Sequence, residues 1–253
     1  MRKEEICTEE FMKKVVDTVN AGAYALLKRE GKVHEVGSEA LANLIGWLHK
    51  LLPEATIMNE ELWLRGLGEG EEYAWAITPM DSIVNYSHRL PGYMICVCLM
   101  LRREPILSVV YDVYNDTMYA AVDGIGAFAD GEKLTVSDND TWHSVVSIGS
   151  GLPKLNERTD ILDTDRRLFI KYEAVRMYGS IGMSLCLLAE GCVDAVHYVD
   201  IAGCEFLAGV LIAAAAGASV EYKVNAGRSE VWAATGANAL NTLKDTIISK
   251  SLV

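Results

Sequence analysis

Between residues 73 and 122 lie four short runs, YAWAI, MICVCLML, ILSVVYDV and TMYAAV, each apolar or rich in β-branched residues. The turn signals RREP and YNDT separate the last three. Runs this short, punctuated this closely, read as strands rather than helices, and tight turns return each strand beside its predecessor. The segment therefore predicts an antiparallel meander, and the rest of the fold has to be built around it.

Two amphipathic helices precede it. Phe11, Val15, Val16, Val19, Leu26 and Leu27 fall largely at helical spacing, as do Leu41, Leu44, Ile45, Leu48 and Leu52, with Gly31 and Pro53 as stops. From about Val145 the pattern alternates. VVSIG reads as strand, Asp160 to Lys171 as a polar helix, VRMYG as strand, SIGMSLCLLAEG as helix and VDAVHY as strand. CEFLAGVLIAAAAG follows as helix, ASVEY and VWAAT as strands, and a last helix ends near Lys250. Alternation of this kind predicts a layered α/β half. A boundary is expected near residues 138 to 144, where DNDTWHS interrupts the pattern, giving an N-terminal α+β portion (1–142) and a C-terminal α/β portion (143–253).

Composition narrows the partners. A chain of 253 residues can bury a substantial core, and its net charge of −12 disfavours binding to nucleic acid or to an anionic membrane surface. Small molecules and protein subunits are the expected partners. No apolar run approaches the roughly 18 to 20 residues of a spanning helix. The polar start MRKEEICTEE does not read as a signal peptide, so a cytoplasmic location is expected. The six cysteines, Cys7, Cys96, Cys98, Cys186, Cys192 and Cys204, show no zinc-site spacing and read as reduced thiols, most of them in the core.

Three acidic stretches stand at the ends of expected elements. Glu60 and Glu61 follow a strand in MNEELW, Asp81 lies in TPMDSI, and Glu205 opens an apolar helix in GCEFLAGVLI. Carboxylates that converge suit a hard cation such as Mg²⁺, which takes oxygen ligands. Singly, each has a plainer reading as a solvated surface acid or a helix-start residue. Asp81 and Ser82 precede a helix start, where such residues cap the helix or, with the backbone amides, bind an anion. Spacing leaves both readings open.

The order of the pieces resembles the inositol monophosphatase family through nearly the whole chain. That family carries an EE pair, a DPxDGTxNFxHxxP segment, a meander ending GxGAFxNG, and WDxAAG on a helix. Here the counterparts are NEE at 59 to 61, TPMDSIVNYSHRLP at 78 to 91, GIGAFADG at 124 to 131 and CEFLAGVLI at 204 to 212. GIGAFA is not a dinucleotide fingerprint, because ADGEKLTVS after it reads as turn and strand. The resemblance implies an αβαβα sandwich of α+β and α/β layers, of the inositol-monophosphatase and sugar-phosphatase type. It also implies a homodimer, Mg²⁺ and hydrolysis of small phosphomonoesters.

Carried over by position, the metal set would be Glu60, the Met80 carbonyl, Asp81 and Glu205, with Glu60 also helping to activate water and Asp81 also meeting substrate. Thr78 replaces an aspartate that normally bridges metals, and Ile83 replaces a threonine that relays the proton of the attacking water. Ser82 replaces a glycine, although the amides of Ser82 and Ile83 can still cradle an anion. Glu205 is one methylene longer than the usual aspartate. Gly37 takes the place of an early acid, with Glu35 and Glu39 as alternative donors, and Tyr198 takes that of an acidic contact to inositol hydroxyls. The expectation is a degenerate metal site, in a weak phosphatase or in a non-catalytic relative that binds an anionic small molecule or regulates a partner. Chemistry through a cysteine or histidine is the third reading, with His88 and His197 placed as structural.

Overall fold

Thr8 accepts a hydrogen bond from the Phe11 amide at 3.1 Å and so caps the first long helix. The computed structural model describes residues 1–23, 33–58, 72–138, 143–151, 159–202, 205–225 and 227–248. After a short α1 (Lys3–Ile6), α2 (Glu9–Gly22) buries Phe11, Val15, Val19 and Gly22, one stripe at helical period. Helix α3 (Val33–Leu51) buries Val36, Ala40, Leu44 and Leu48, and Leu52 follows just beyond its end. The helices approach closely at Gly22, where an added Cβ would lie 2.7 Å from Leu44 Cδ2. Leu26, Leu27 and Gly31 lie outside the described residues.

The expected meander is present. Strands β1 (Thr56–Ile57), β2 (Tyr73–Asp81), β3 (Met94–Leu101), β4 (Glu104–Asp112), β5 (Thr117–Val122), β6 (Gly126–Ala129) and β7 (Glu132–Lys133) form one sheet in sequence order. Every pairing in it is antiparallel except β1 with β2. GIGAFADG is strand and turn. A short α4 (Ile83–His88) follows β2.

The second sheet runs β11–β12–β10–β8–β9, with β8 (Val145–Ser150), β9 (Ala174–Arg176), β10 (Ala195–Ala202), β11 (Ser219–Asn225) and β12 (Arg228–Ala234). Strand β8 is parallel to β9 and β10, while β12 is antiparallel to β10 and β11. Its helices are α5 (Thr159–Lys171), α6 (Ile181–Ala189), α7 (Leu207–Ala215) and α8 (Ala237–Ile248). Residues 139–142, within the expected boundary, and 249–253, beyond α8, lie outside the described residues.

Among the described residues three cores hold five layers. Strand β2 is buried on both faces: Trp75 packs with α2 and α3, whereas Ala74 and Ala76 face α6, α7 and the second sheet. A third cluster, including Leu168, Trp232 and Leu243, lies where α5 and α8 cover the other face of the second sheet. The order is helices, sheet, helices, sheet, helices. Helices α6 and α7 are apolar all round because both faces are covered, and full burial of each Leu or Ile contributes about 1.5–3 kcal/mol. Among the described residues no helix is long and apolar enough to cross a membrane.

Candidate functional site

Strand β2 ends in a bulge. Thr78 pairs with Cys96 and Asp81 with Met94, so Pro79 and Met80 stand opposite the single residue Ile95. An extra residue of this kind re-aims the side chain that follows it. Asp81, only 6% exposed, accepts hydrogen bonds at Oδ2 from Ser180 Oγ at 2.7 Å and from the Gly182 amide at 2.8 Å. Ser180 is the N-cap of α6, and its Oγ also accepts from the Met183 amide at 3.0 Å. Asp81 therefore closes the start of a helix in the next layer. Position 182 has no room for a side chain, since a Cβ there would lie 2.9 Å from Asp81 Oδ2 and 3.0 Å from Cys96 Sγ. Burial raises the Asp81 pKa, and the donors at Ser180, Gly182 and Ser82 act against that rise.

The residues after Asp81 keep the turn that the sequence motif implies. Ser82 adopts φ 69° and ψ 71°, a left-handed conformation that costs a non-glycine residue roughly 1–2 kcal/mol. Its Oγ accepts from the Asn85 amide at 3.4 Å, while its own amide is directed at the Asp81 carboxylate. An anion cradle using the Ser82 N–H would compete with that carboxylate. Asn85 Nδ2 donates to the Gly92 carbonyl at 2.9 Å and to the Tyr178 carbonyl at 2.8 Å, tying α4 to the segment ahead of α6. Ile83 is 48% exposed at the first position of α4, and Thr78 is half-buried. The Met80 side chain packs into the cluster beneath α2 and α3, so only its main chain, inside the bulge, is placed to serve a cation.

Glu205, half-buried two residues before α7, is the second carboxylate. Burial pushes its pKa up to about 7; the Asp81 charge adds to the rise, and Arg228 opposes it. The Asp81 charge thus reaches Glu205 across the space between the starts of α6 and α7. Glu60 and Glu61 lie outside the described residues. Gly37, Glu35 and Glu39 are on α3, the two acids exposed. Among the described residues no three His, Cys, Asp or Glu side chains are grouped to hold a metal ion.

Tyr198 stands differently from its expected role as a ligand contact. It is 3% exposed, its hydroxyl donates to the Ser180 carbonyl at 3.1 Å and also meets Ser184 Oγ at 2.9 Å, and burial pushes its pKa up to about 12. A Cβ at Gly149 would come within 2.3 Å of the Tyr198 ring. The larger side chain has been accommodated inside the layers, where it braces the first turn of α6. Ser180, Gly182 and Asn85 were not singled out from sequence, although SIGM before an apolar run is a capping signal and Asn85 lies within NYSH.

Comparison with known proteins agrees with this fold. Residues 5–250 match the family model described as the inositol monophosphatase family. A protein of Aquifex aeolicus named fructose-1,6-bisphosphatase/inositol-1-monophosphatase is 30% identical over 169 residues, covering 66% of this chain and 63% of its own length. This chain therefore spans a little under two thirds of that relative. Inositol monophosphatase 2 of Solanum lycopersicum is 27% identical over 260 residues, 95% of this chain and 94% of its own. The solved inositol monophosphatase of Anabaena (Nostoc) sp. PCC 7120 superposes with a TM-score of 0.83 at 22% identity, covering 95% of each chain. The extragenic suppressor protein SuhB of Bartonella henselae gives 0.84 at 19% identity, over 96% of this chain and all of that one.

Proposed function

Because the chain belongs to the inositol monophosphatase family, we propose that it hydrolyses small phosphomonoesters, inositol or sugar phosphates, only weakly or not at all. One observation carries this reading. The two described carboxylates of the site, Asp81 and Glu205, stand with a neutral hydroxyl at Thr78, and Ile83 points a hydrocarbon side chain into solvent.

Two carboxylates, one of which raises the proton affinity of the other, fit one hard cation, whose charge would relieve that repulsion. Asp81, Glu205 and the Met80 main chain would hold it, with Glu60 completing the set. A bound Mg²⁺ supplies Lewis-acid polarisation of a phosphoryl oxygen. A second ion would lack the bridging carboxylate that Thr78 replaces. The rest falls to the chain itself. The start of α7 beside Glu205 offers its positive end to an anion, whereas that of α6 is taken by Asp81, and Asn85 ties α4 to the segment ahead of α6. Ile83 has no hydroxyl to move a proton, a loss that typically costs about 10²- to 10⁴-fold. The partner class is a small phosphorylated or anionic molecule, the assembly a homodimer, the location cytoplasmic.

The test is release of inorganic phosphate from inositol 1-phosphate, sugar phosphates and a chromogenic ester, with Mg²⁺, Mn²⁺ or chelator. Wild type is expected to turn over slowly or not measurably, and Thr78→Asp with Ile83→Thr to gain at least about tenfold in a metal-dependent manner. Efficient wild-type turnover abolished by Asp81→Asn would overturn the degenerate reading. A repaired protein that stays inert would favour the alternative, a non-catalytic pseudophosphatase that binds an anionic small molecule or regulates a partner.

A further inference from the structure

Strand β11 ends the second sheet, and among the described residues no strand pairs with its outer edge. Such an edge offers a row of unpaired N–H and C=O groups to another strand. The register shows which residues supply them. Just past β12, the Thr235 amide donates to the Asp194 carbonyl at 3.1 Å, on the β10 side. Main-chain groups alternate sides along a strand, so Trp232 and Glu230 turn theirs toward β11, where they pair with Glu221 and Lys223. The Val199 carbonyl, which accepts from the Gly151 amide at 3.0 Å on the β8 side of β10, sets the same phase. Val220, Tyr222 and Val224 therefore direct their N–H and C=O groups away from the sheet.

The side chains on this edge complement themselves. Glu221 and Lys223 are exposed on the side facing α8, one carboxylate and one ammonium two residues apart. Lys244 of α8 meets Glu221 at Oε2, which leaves Oε1. Lys223 Nζ lies 5.5 Å from the Trp232 ring and forms no salt bridge among the described residues. On the other side Val220 and Tyr222 pack partly into the core between the sheets, while Val224 is 46% exposed. A lone lysine on an edge strand deters pairing. Opposite charges two residues apart instead favour one register: an antiparallel pairing about a two-fold axis at Tyr222 sets Glu221 against the partner's Lys223, twice over, and Val220 against the partner's Val224. In that register every outward N–H and C=O of the three residues finds a mate. Centring the axis on Val220 or Val224 leaves part of the edge unpaired and brings no glutamate opposite a lysine.

We infer that β11 is a self-association edge, which takes β11 of a second copy of this chain in antiparallel register about Tyr222 and joins the two second sheets into one. Such a contact is isologous and closes on itself. It rests on the homodimer reading above for the identity of the partner, and on nothing at the Asp81 and Glu205 site. One strand laid on another buries less than the roughly 1,200 Å² of a stable interface, so the association is weak and concentration-dependent.

Charge reversal tests the register. Glu221→Lys sets ammonium against ammonium across the axis and Lys223→Glu sets carboxylate against carboxylate, and like charges directly opposite are destabilising. In sedimentation velocity over a concentration series, the full wild-type chain is expected to associate, and each variant alone to do so at least about tenfold more weakly. An equimolar mixture of the two variants recovers the association, because every opposed pair is then glutamate with lysine. Variants that fail to fold cannot recover in this way. Val224→Pro removes an outward N–H that no strand of the fold uses and is expected to abolish the same step. Association that the variants leave unchanged would place the homodimer on another face, overturning this assignment while sparing the homodimer reading. No association at any concentration would sink both. A mixture no tighter than the separate variants would overturn the register and the assignment with it.

Discussion

Removing the Asp81 side chain and removing only its charge should have different consequences, because the carboxylate holds a helix end as well as offering itself to a cation. Oδ2 receives two hydrogen bonds, from Ser180 Oγ and the Gly182 amide, in a setting that is 6% exposed. Bonds to a charged acceptor contribute about 1.5–3 kcal/mol each, and the donors left unpaired by truncation carry their own desolvation cost. Against this, Asp81→Ala removes a carboxylate whose burial is itself unfavourable, as its raised pKa records. The balance predicts a loss of about 3 kcal/mol for Asp81→Ala. Asp81→Asn keeps an oxygen that can accept from both donors with no charge to desolvate, so its change should stay within about 1 kcal/mol. Urea unfolding in chelator, followed by tryptophan fluorescence, measures both, provided the slopes agree. Added Mg²⁺ should then stabilise wild type and not Asp81→Asn, since a ligand stabilises only a fold that binds it. Equal destabilisation by the two variants would refute the helix-closing role. Equal Mg²⁺ stabilisation would remove Asp81 from the cation site.

Glu205 should leave a signature in pH. Its folded pKa, about 7, lies above the ordinary value of 4.5, so the folded state binds the extra proton; the contribution is full below about pH 4.5 and is lost as pH rises through 7. Without metal, stability should therefore fall by about 2–3 kcal/mol between pH 4.5 and 8 relative to Glu205→Gln, and parallel pH profiles would contradict the shift. Tyr198→Phe removes a hydroxyl shared with the Ser180 carbonyl and Ser184; a loss of about 1–2 kcal/mol in urea unfolding, with phosphate-ester binding unchanged, is expected. A large loss of ligand affinity at unchanged stability would restore a binding role. Ser82→Gly relieves the left-handed backbone and should raise the melting temperature by the equivalent of about 0.5–1 kcal/mol, whereas a lower melting temperature would show that its hydrogen bond to Asn85 matters more.

Much of the architecture was legible along the chain because it rests on local periodicity. The helical spacing of Phe11, Val15 and Val19 is the stripe that α2 buries, and MICVCLML and ILSVVYDV are β3 and β4 joined by the turn read from RREP. The apolar segments after Ser180 and Glu205 became α6 and α7, whose lack of a polar face the structure explains by burial between layers. Motif order set Asp81 and Glu205 in one expected ligand set, and the structure lets the charge of the first act on the second. Motif order could not show that Asp81 also serves α6, because a hydrogen bond to Ser180 and Gly182 depends on where two layers meet. Tyr198 shows the same limit. Aligned with a ligand contact, it has its hydroxyl turned onto Ser180 and Ser184 because Gly149 leaves space for its ring.

The sequence by itself determined the elements, the family and the residue types at each position of the site, including the neutral side chains at Thr78 and Ile83. These are local or compositional properties, carried by spacing and side-chain chemistry. Only the tertiary structure decided which of those groups lie near one another and how burial shifts their protons. Such properties arise from the stacking of helices on both faces of two sheets, which sets distance and dielectric between residues far apart in the chain.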